Sequence, residues 1–204
     1  MEPTRPRGRR PAGTDTRGAI LAAARTEFAE RGFEAASMRS VARRADVDPA
    51  LVRHYFPDRT ELFAVSVLPE TANPVEVAER VVAGGLPGLG ERLVTEVLTV
   101  WADDDGEAFR AAVGLMAGGV ERPRALVAYI GRTVFERIGR LVAPDEVPLR
   151  VGLLASQIAG LLMVRYVIRM EPIGSMPIPQ VAALVGPTLD RYLTATLPSP
   201  RPGP

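Results

Sequence analysis

The chain has 204 residues, 47% apolar and 24% charged, a balance that fits a folded chain with a real core and excludes an intrinsically disordered one. Cysteine is absent, which excludes a disulfide framework and thiolate metal sites; no apolar run follows the basic N-terminal residues, so no signal peptide is read and the cytoplasm is the expected compartment. The net charge of +1 is uneven: residues 1–59 hold 12 Arg against 8 acidic residues and residues 60–204 hold 13 against 16, a basic front end suited to a polyanion on a mildly acidic body.

In chain order, residues 1–13 are rich in Pro, Gly and Arg without apolar periodicity and read as a disordered arm, either a plain solvated tail or a contact to a minor groove or phosphates. A first helix is predicted from about Asp15 to Arg31, with Ile20, Leu21, Ala24 and Phe28 on one face and Thr14 or Asp15 as its cap. Gly32 supplies a left-handed stop, and Phe33 is placed to fold back on the helix end. Two short helices follow, near 38–45 and 49–56. Ser37 caps the first; Asp48 caps the second, and Pro49 stands at its first position, where a missing N–H is harmless. Pro57 closes that helix and Asp58 starts another that runs to about Leu68. The remainder reads as helices near 74–84, 88–102, 105–118, 122–142, 146–170 and 178–196, punctuated by Pro and Gly, with a disordered tail at 198–204. The expected fold is all-α: a helix-turn-helix head over 14–68 and a larger helical body over 69–197.

A short helix, a tight turn and a second short helix suit the major groove of DNA. On the second, Leu51, Val52, Tyr55 and Phe56 are read as anchors, leaving Pro49, Ala50, Arg53 and, at the edge, His54 facing outward. An exposed Arg53 can pair bidentately with guanine O6 and N7, worth roughly 1–3 kcal/mol of discrimination. Ala50 permits close approach and contact with a thymine methyl, while Ser37, Tyr55 and the amides of the helix beginning at Arg59 offer phosphate contacts. Arg39 is a further outward cation on the first short helix; for it and Arg53 the competing reading is a solvated surface charge. His54 is the lone histidine and has no second His or Cys with which to form a metal or catalytic site.

The segment from about Thr14 to Leu68 resembles the DNA-binding region of TetR-type (tetracycline-repressor-type) regulators. The resemblance rests on Phe28, Gly32, Phe33, Ser37, Arg39, Val41, Ala42, Ala45, Val47, Pro49, Leu51, Tyr55, Phe56, Arg59 and Leu62 at the family's spacing. This chain departs from the pattern with Asp46 in place of the turn Gly, Asp48 in place of the Ser cap, Arg53 in place of a Tyr and Arg59 in place of a phosphate-contacting Lys. The pattern ALVRHYF is similar to that of an actinobacterial subgroup whose members often regulate efflux, which implies an efflux substrate as one kind of effector. The resemblance implies a dimeric regulator, most simply a repressor, on a palindromic double-stranded operator, with no cofactor and no membrane.

For the body, the resemblance implies a small-molecule pocket and a dimer interface. Leu149 to Met170 is apolar nearly all round, and with 178–196 it suits a four-helix homodimer interface across a two-fold axis; a plain core helix is the rival reading. Pocket candidates are Trp101, Phe109, Met116, Tyr129 and Gln157, aromatic, soft or polar groups in aliphatic helices, against which stands ordinary core packing. Asp103, Asp104 and Asp105 read as a solvated turn or helix start rather than a cation site. An enzyme is the competing class: GGLPGLG over 84–90 suggests a phosphate loop, but a Walker A loop needs a Lys and the chain has none. A small-molecule carrier or sensor lacking DNA activity is the third.

Overall fold

The structure is a computed structural model that describes residues 15–69, 72–102, 106–117, 119–138 and 147–197. The expectations for the N-terminal arm, for Asp103 to Asp105 and for the tail at 198–204 fall outside those residues. Among the described residues there is no strand, and the order is α1 (Thr16–Ala35), α2 (Met38–Ala45), α3 (Pro49–Tyr55), α4 (Arg59–Val67), α5 (Pro74–Val82), α6 (Leu89–Val100), α7 (Glu107–Met116), α8 (Glu121–Ile130), α9 (Glu136–Ile138), α10 (Val147–Leu162) and α11 (Ile178–Thr194). Wide π-helical turns at Gly131–Phe135 and Met163–Ile168 join α8 to α9 and extend α10.

Local chemistry explains the head. Asp15 caps α1 through the amide of Gly18 at 2.9 Å. Gly32 breaks that helix at φ 76°, ψ 168°, a backbone region closed to residues with a Cβ, so the chain bends there rather than ending in a standard left-handed cap. The bend turns Phe33 back onto Phe28, ring centroids 6.0 Å apart, and both rings meet Phe63 of α4 edge-on at 5.0 and 5.2 Å. Ile20, Leu21, Ala24, Val41, Ala42, Val52, Phe56 and Leu62 complete this small core.

In the body, α6 and α11 form the closest helix pair because glycines face each other. A Cβ on Gly90 would run into the Gly186 carbonyl oxygen, and one on Gly186 would lie 2.6 Å from the Glu91 amide nitrogen. The Asp190 carboxylate accepts from the Gly90 amide at 2.6 Å, so a residue of α11 caps the first turn of α6. Arg92 reinforces this end by donating to the carbonyls of Val81, Pro87 and Gly85. Leu89, Leu93, Val94 and Leu98 pack there with Val181, Leu189 and Leu193.

Each predicted body helix has a counterpart among the described residues; residues 105, 118, 139–142 and 146 of the predicted spans lie outside them. The stretch expected as one helix over 122–142 instead widens into the turn at Gly131–Phe135, and that expected over 146–170 widens at Met163–Ile168. Of α10, only Arg150, Leu154 and Leu162 are buried, so the chain by itself covers little of an apolar helix. With its π turn this segment (Val147–Ile168) is long and apolar enough by composition to cross a membrane.

Candidate nucleic-acid interface and apolar cavity

The turn between α2 and α3 is set by its own side chains. Ser37 and Ser40 form a reciprocal capping box at the start of α2, with the Ser40 amide donating to Ser37 Oγ and the Ser37 amide to Ser40 Oγ, both at 3.0 Å. Asp46 takes the left-handed conformation (φ 54°, ψ 47°) that the turn needs. Asp48 accepts from the Ala50 amide at 2.7 Å and Pro49 opens α3. Val52 and Phe56 are buried, and Arg39, Ala50, Arg53 and His54 are exposed, as the periodicity predicts. Pro49 is half-buried.

One expectation needs correction, and one residue gains a second role. Tyr55 is not an anchor: it is 39% exposed, its ring 5.4 Å from that of His54, because Phe56 fills the core position and α3 ends there. Its hydroxyl thereby joins the outward face. The Arg59 side chain has a structural role besides the expected phosphate contact: its guanidinium lies 4.4 Å from the Phe33 ring centroid and donates to the Glu34 carbonyl at 2.9 Å and the Ala36 carbonyl at 3.4 Å. The bend at Gly32 leaves those carbonyls without helical partners, and Arg59 supplies them.

The head arginines therefore divide into two sets. Arg44 donates to buried Glu27 at 2.8 Å and also pairs with Glu30. Burial works to raise the Glu27 pKa, but the hydrogen bonds from Arg44 and Ser40 and the charges of Arg31 and Arg44 hold it below the usual carboxylate value. Arg59 and Arg44 are thus committed to structure. Arg39, Arg43 and Arg53 are exposed and have no ion-pair partner among the described residues. Arg43, in the last turn of α2, was missed by sequence reasoning, as was Arg17, whose guanidinium lies 5.6 Å from the Phe56 ring centroid at the start of α1. A helix-periodic reading of α2 carried to its last turn would have found Arg43.

The body holds a cavity of about 430 Å³. Trp101, Phe109 and Met116 line it, with Val97 of α6, Leu126 and Val127 of α8, and Leu154 and Ile158 of α10. Trp101 and Phe109 meet edge to face at 5.2 Å, and Phe109 lies 6.2 Å from Tyr166, whose hydroxyl donates to the Leu98 carbonyl at 3.2 Å. Tyr129 and Gln157 do not line this cavity. Tyr129 is buried at the contact of α8 with α4; burial and then the nearby Glu61 charge push its phenol pKa up. Gln157 is half-buried on a face of α10 outside the cavity wall.

α4 connects the two regions. Its N-terminal Arg59 braces the bend of α1, while Val67 and the following Leu68 form part of the cavity wall. Arg25 of α1 donates to the carbonyls of Ser66 and Leu68 at 2.8 and 3.1 Å, closing the other end of α4 onto the head.

Residues 88–193 match the family described as "Tetracyclin repressor-like, C-terminal domain", and residues 20–65 match "Bacterial regulatory proteins, tetR family". A TetR-family regulator from Streptomyces coelicolor A3 is 35% identical, with 91% of this chain and 98% of that one aligned at a TM-score of 0.60. A second solved structure, a candidate transcriptional regulator from Streptomyces coelicolor A3(2), is 20% identical over 88% of this chain and 99% of that one, at a TM-score of 0.50, and shares the fold. No curated protein matches.

Proposed function

We propose that this chain, which belongs to the TetR family of bacterial transcriptional regulators, is a repressor that binds a palindromic operator as a homodimer and is released by a small apolar effector. The single observation that carries the reading is α4, whose first residue braces the DNA-facing head and whose last turn is cavity wall. Anything that reshapes the cavity presses on the helix that packs against α1 and braces the head.

On DNA, Arg53 and Ala50 face base edges; Arg39, His54 and Ser37 flank them, and the Tyr55 hydroxyl reaches phosphate. Arg43 joins the phosphate contacts. The dimer forms through α10 and α11: Leu184 is 69% exposed, Ile168 58% and Met170 51%, and Gly152 and Gly160 face open space where a partner helix can approach closely. The two heads then meet successive major grooves about 34–36 Å apart. Effector binding favours the dimer whose heads no longer match that spacing. An efflux substrate is the kind of effector that the ALVRHYF resemblance implies, and the cytoplasm is where the operator lies.

Selection of bound sites from fragmented genomic DNA with the purified protein tests the reading. An inverted repeat with half-sites about one helical turn apart supports it. Recovery of random sequence, equally well by Arg53→Ala, overturns it.

A further inference from the structure

Resting on the reading of the cavity as the effector site, we infer that the effector is an uncharged, hydrogen-bond-poor molecule, and that ions with the same hydrocarbon part are excluded. Among the described residues, the cavity wall holds no ionisable side chain and no side-chain hydroxyl or amide; its polar side-chain atoms are the Trp101 indole N–H and the thioether sulfurs of Met116 and Met163. An ion whose charged head is drawn inside such a space sheds its water and gains no counter-charge, which outweighs what its hydrocarbon tail contributes.

The polar groups on the helices around the cavity are turned elsewhere. The Tyr166 hydroxyl donates to the Leu98 carbonyl, Ser66 Oγ to the Phe63 carbonyl at 2.8 Å, and Thr99 Oγ1 to the Thr95 carbonyl at 2.7 Å. The arginines of the lining helices do likewise. Arg110 donates to the Tyr166 carbonyl at 3.2 Å, Arg122 to the Leu115 carbonyl at 2.9 Å, and Arg150 to the Tyr192 carbonyl at 2.7 Å. Each is engaged in ending or bracing a helix, so recruiting one as a counter-ion would expose the carbonyls it holds. The aromatic wall does not offset this for cations, because a cation–π contact to Trp101 or Phe109 recovers less than an ion loses on leaving water. Shape and apolar area therefore select the ligand, and net charge is the property rejected.

The test uses the full chain and its one tryptophan, Trp101, whose emission reports the cavity without a label. Decanol, decanoate and decyltrimethylammonium carry the same tail with a neutral, anionic and cationic head, and none absorbs where tryptophan is excited. Each is titrated against Trp101 emission and, in parallel, against the protein–operator complex. Decanol is expected to saturate the emission change and release DNA, with both ions about 100-fold weaker or more. Ala155→Phe, which narrows the cavity, is expected to lose the decanol response while keeping its helical circular dichroism; Val97→Phe repeats this on the opposite wall should the first variant misfold. Either ion binding within about tenfold of decanol overturns the charge exclusion yet leaves the cavity as the effector site. Silence of Trp101 and of the DNA complex toward all three overturns both.

Discussion

Glu61 on α4 and Arg132 in the wide turn after α8 lie 3.6 Å apart, an ion pair that joins the head to the rim of the body cavity. Gly131 and Val134, on either side of Arg132, are cavity wall, so a ligand that moves this turn moves the partner of Glu61. Both side chains keep solvent contact, which limits the pair to about 0.2–1 kcal/mol of stability. Arg132→Ala is accordingly expected to leave the unfolding midpoint and the operator affinity nearly unchanged while shrinking the factor by which effector weakens DNA binding. Gel-shift titration with and without decanol checks this; an unchanged factor would show that the coupling runs through Val67 and Leu68 alone.

Glu27 gives the head an acid-sensitive element. Its folded pKa lies below the ordinary value of 4.5, so its contribution to stability is present above that value and is lost as the pH falls below it toward the folded pKa. Urea unfolding between neutral pH and pH values below 4.5 should show this loss in the wild type and less of it in Glu27→Gln. Arg44→Ala, which strips a buried carboxylate of its 2.8 Å partner, is expected to destabilise by about 2–3 kcal/mol at neutral pH. Parallel acid profiles of the wild type and Glu27→Gln would remove Glu27 from the account.

The crossing of α6 and α11 depends on the absence of side chains. Gly186→Ala places a methyl against the Glu91 backbone, which cannot yield without moving the helix, and about 1–3 kcal/mol of destabilisation is expected by chemical denaturation. A neutral result would mean that the two helices slide apart at no cost.

The exposed apolar face of α10 and α11 predicts an assembly. Leu184→Asp is expected to raise the dimer dissociation constant by about tenfold or more in sedimentation equilibrium, and to weaken binding to a full palindrome more than to a half-site. An unaltered dimer would place the interface elsewhere.

The head was legible in the sequence because its signals are local. Asp48 beside Pro49, the Ser37 cap and the left-handed Asp46 each act within a few residues, and the structure has all three. The bracing role of Arg59 is tertiary and has no sequence signal: the Phe33 ring and the carbonyls of Glu34 and Ala36 reach it only after Gly32 bends the chain. Periodicity places Tyr55 inward, which fails at the last residue of a short helix. In the body, Trp101, Phe109 and Met116 met in one cavity while Tyr129 went to the contact with α4 and Gln157 to another face of α10. Residue type marked these positions as unusual in aliphatic helices. Helix rotation decided which of them share a space, and the wide turn at Gly131–Phe135, which has no sequence signal of its own, contributes to that rotation.

Arg53 stands where the family pattern has a Tyr, and its exposure on α3 makes it the residue on which the proposed recognition turns. The most direct measurement is a salt-dependent gel-shift titration of the wild type and Arg53→Ala on the selected operator and on scrambled DNA. Recognition through α3 predicts wild-type affinity that falls steeply with salt, and a loss of about 1–3 kcal/mol in Arg53→Ala on the operator with little change on scrambled DNA. Salt-insensitive binding that treats the two sequences alike, in both proteins, would contradict it.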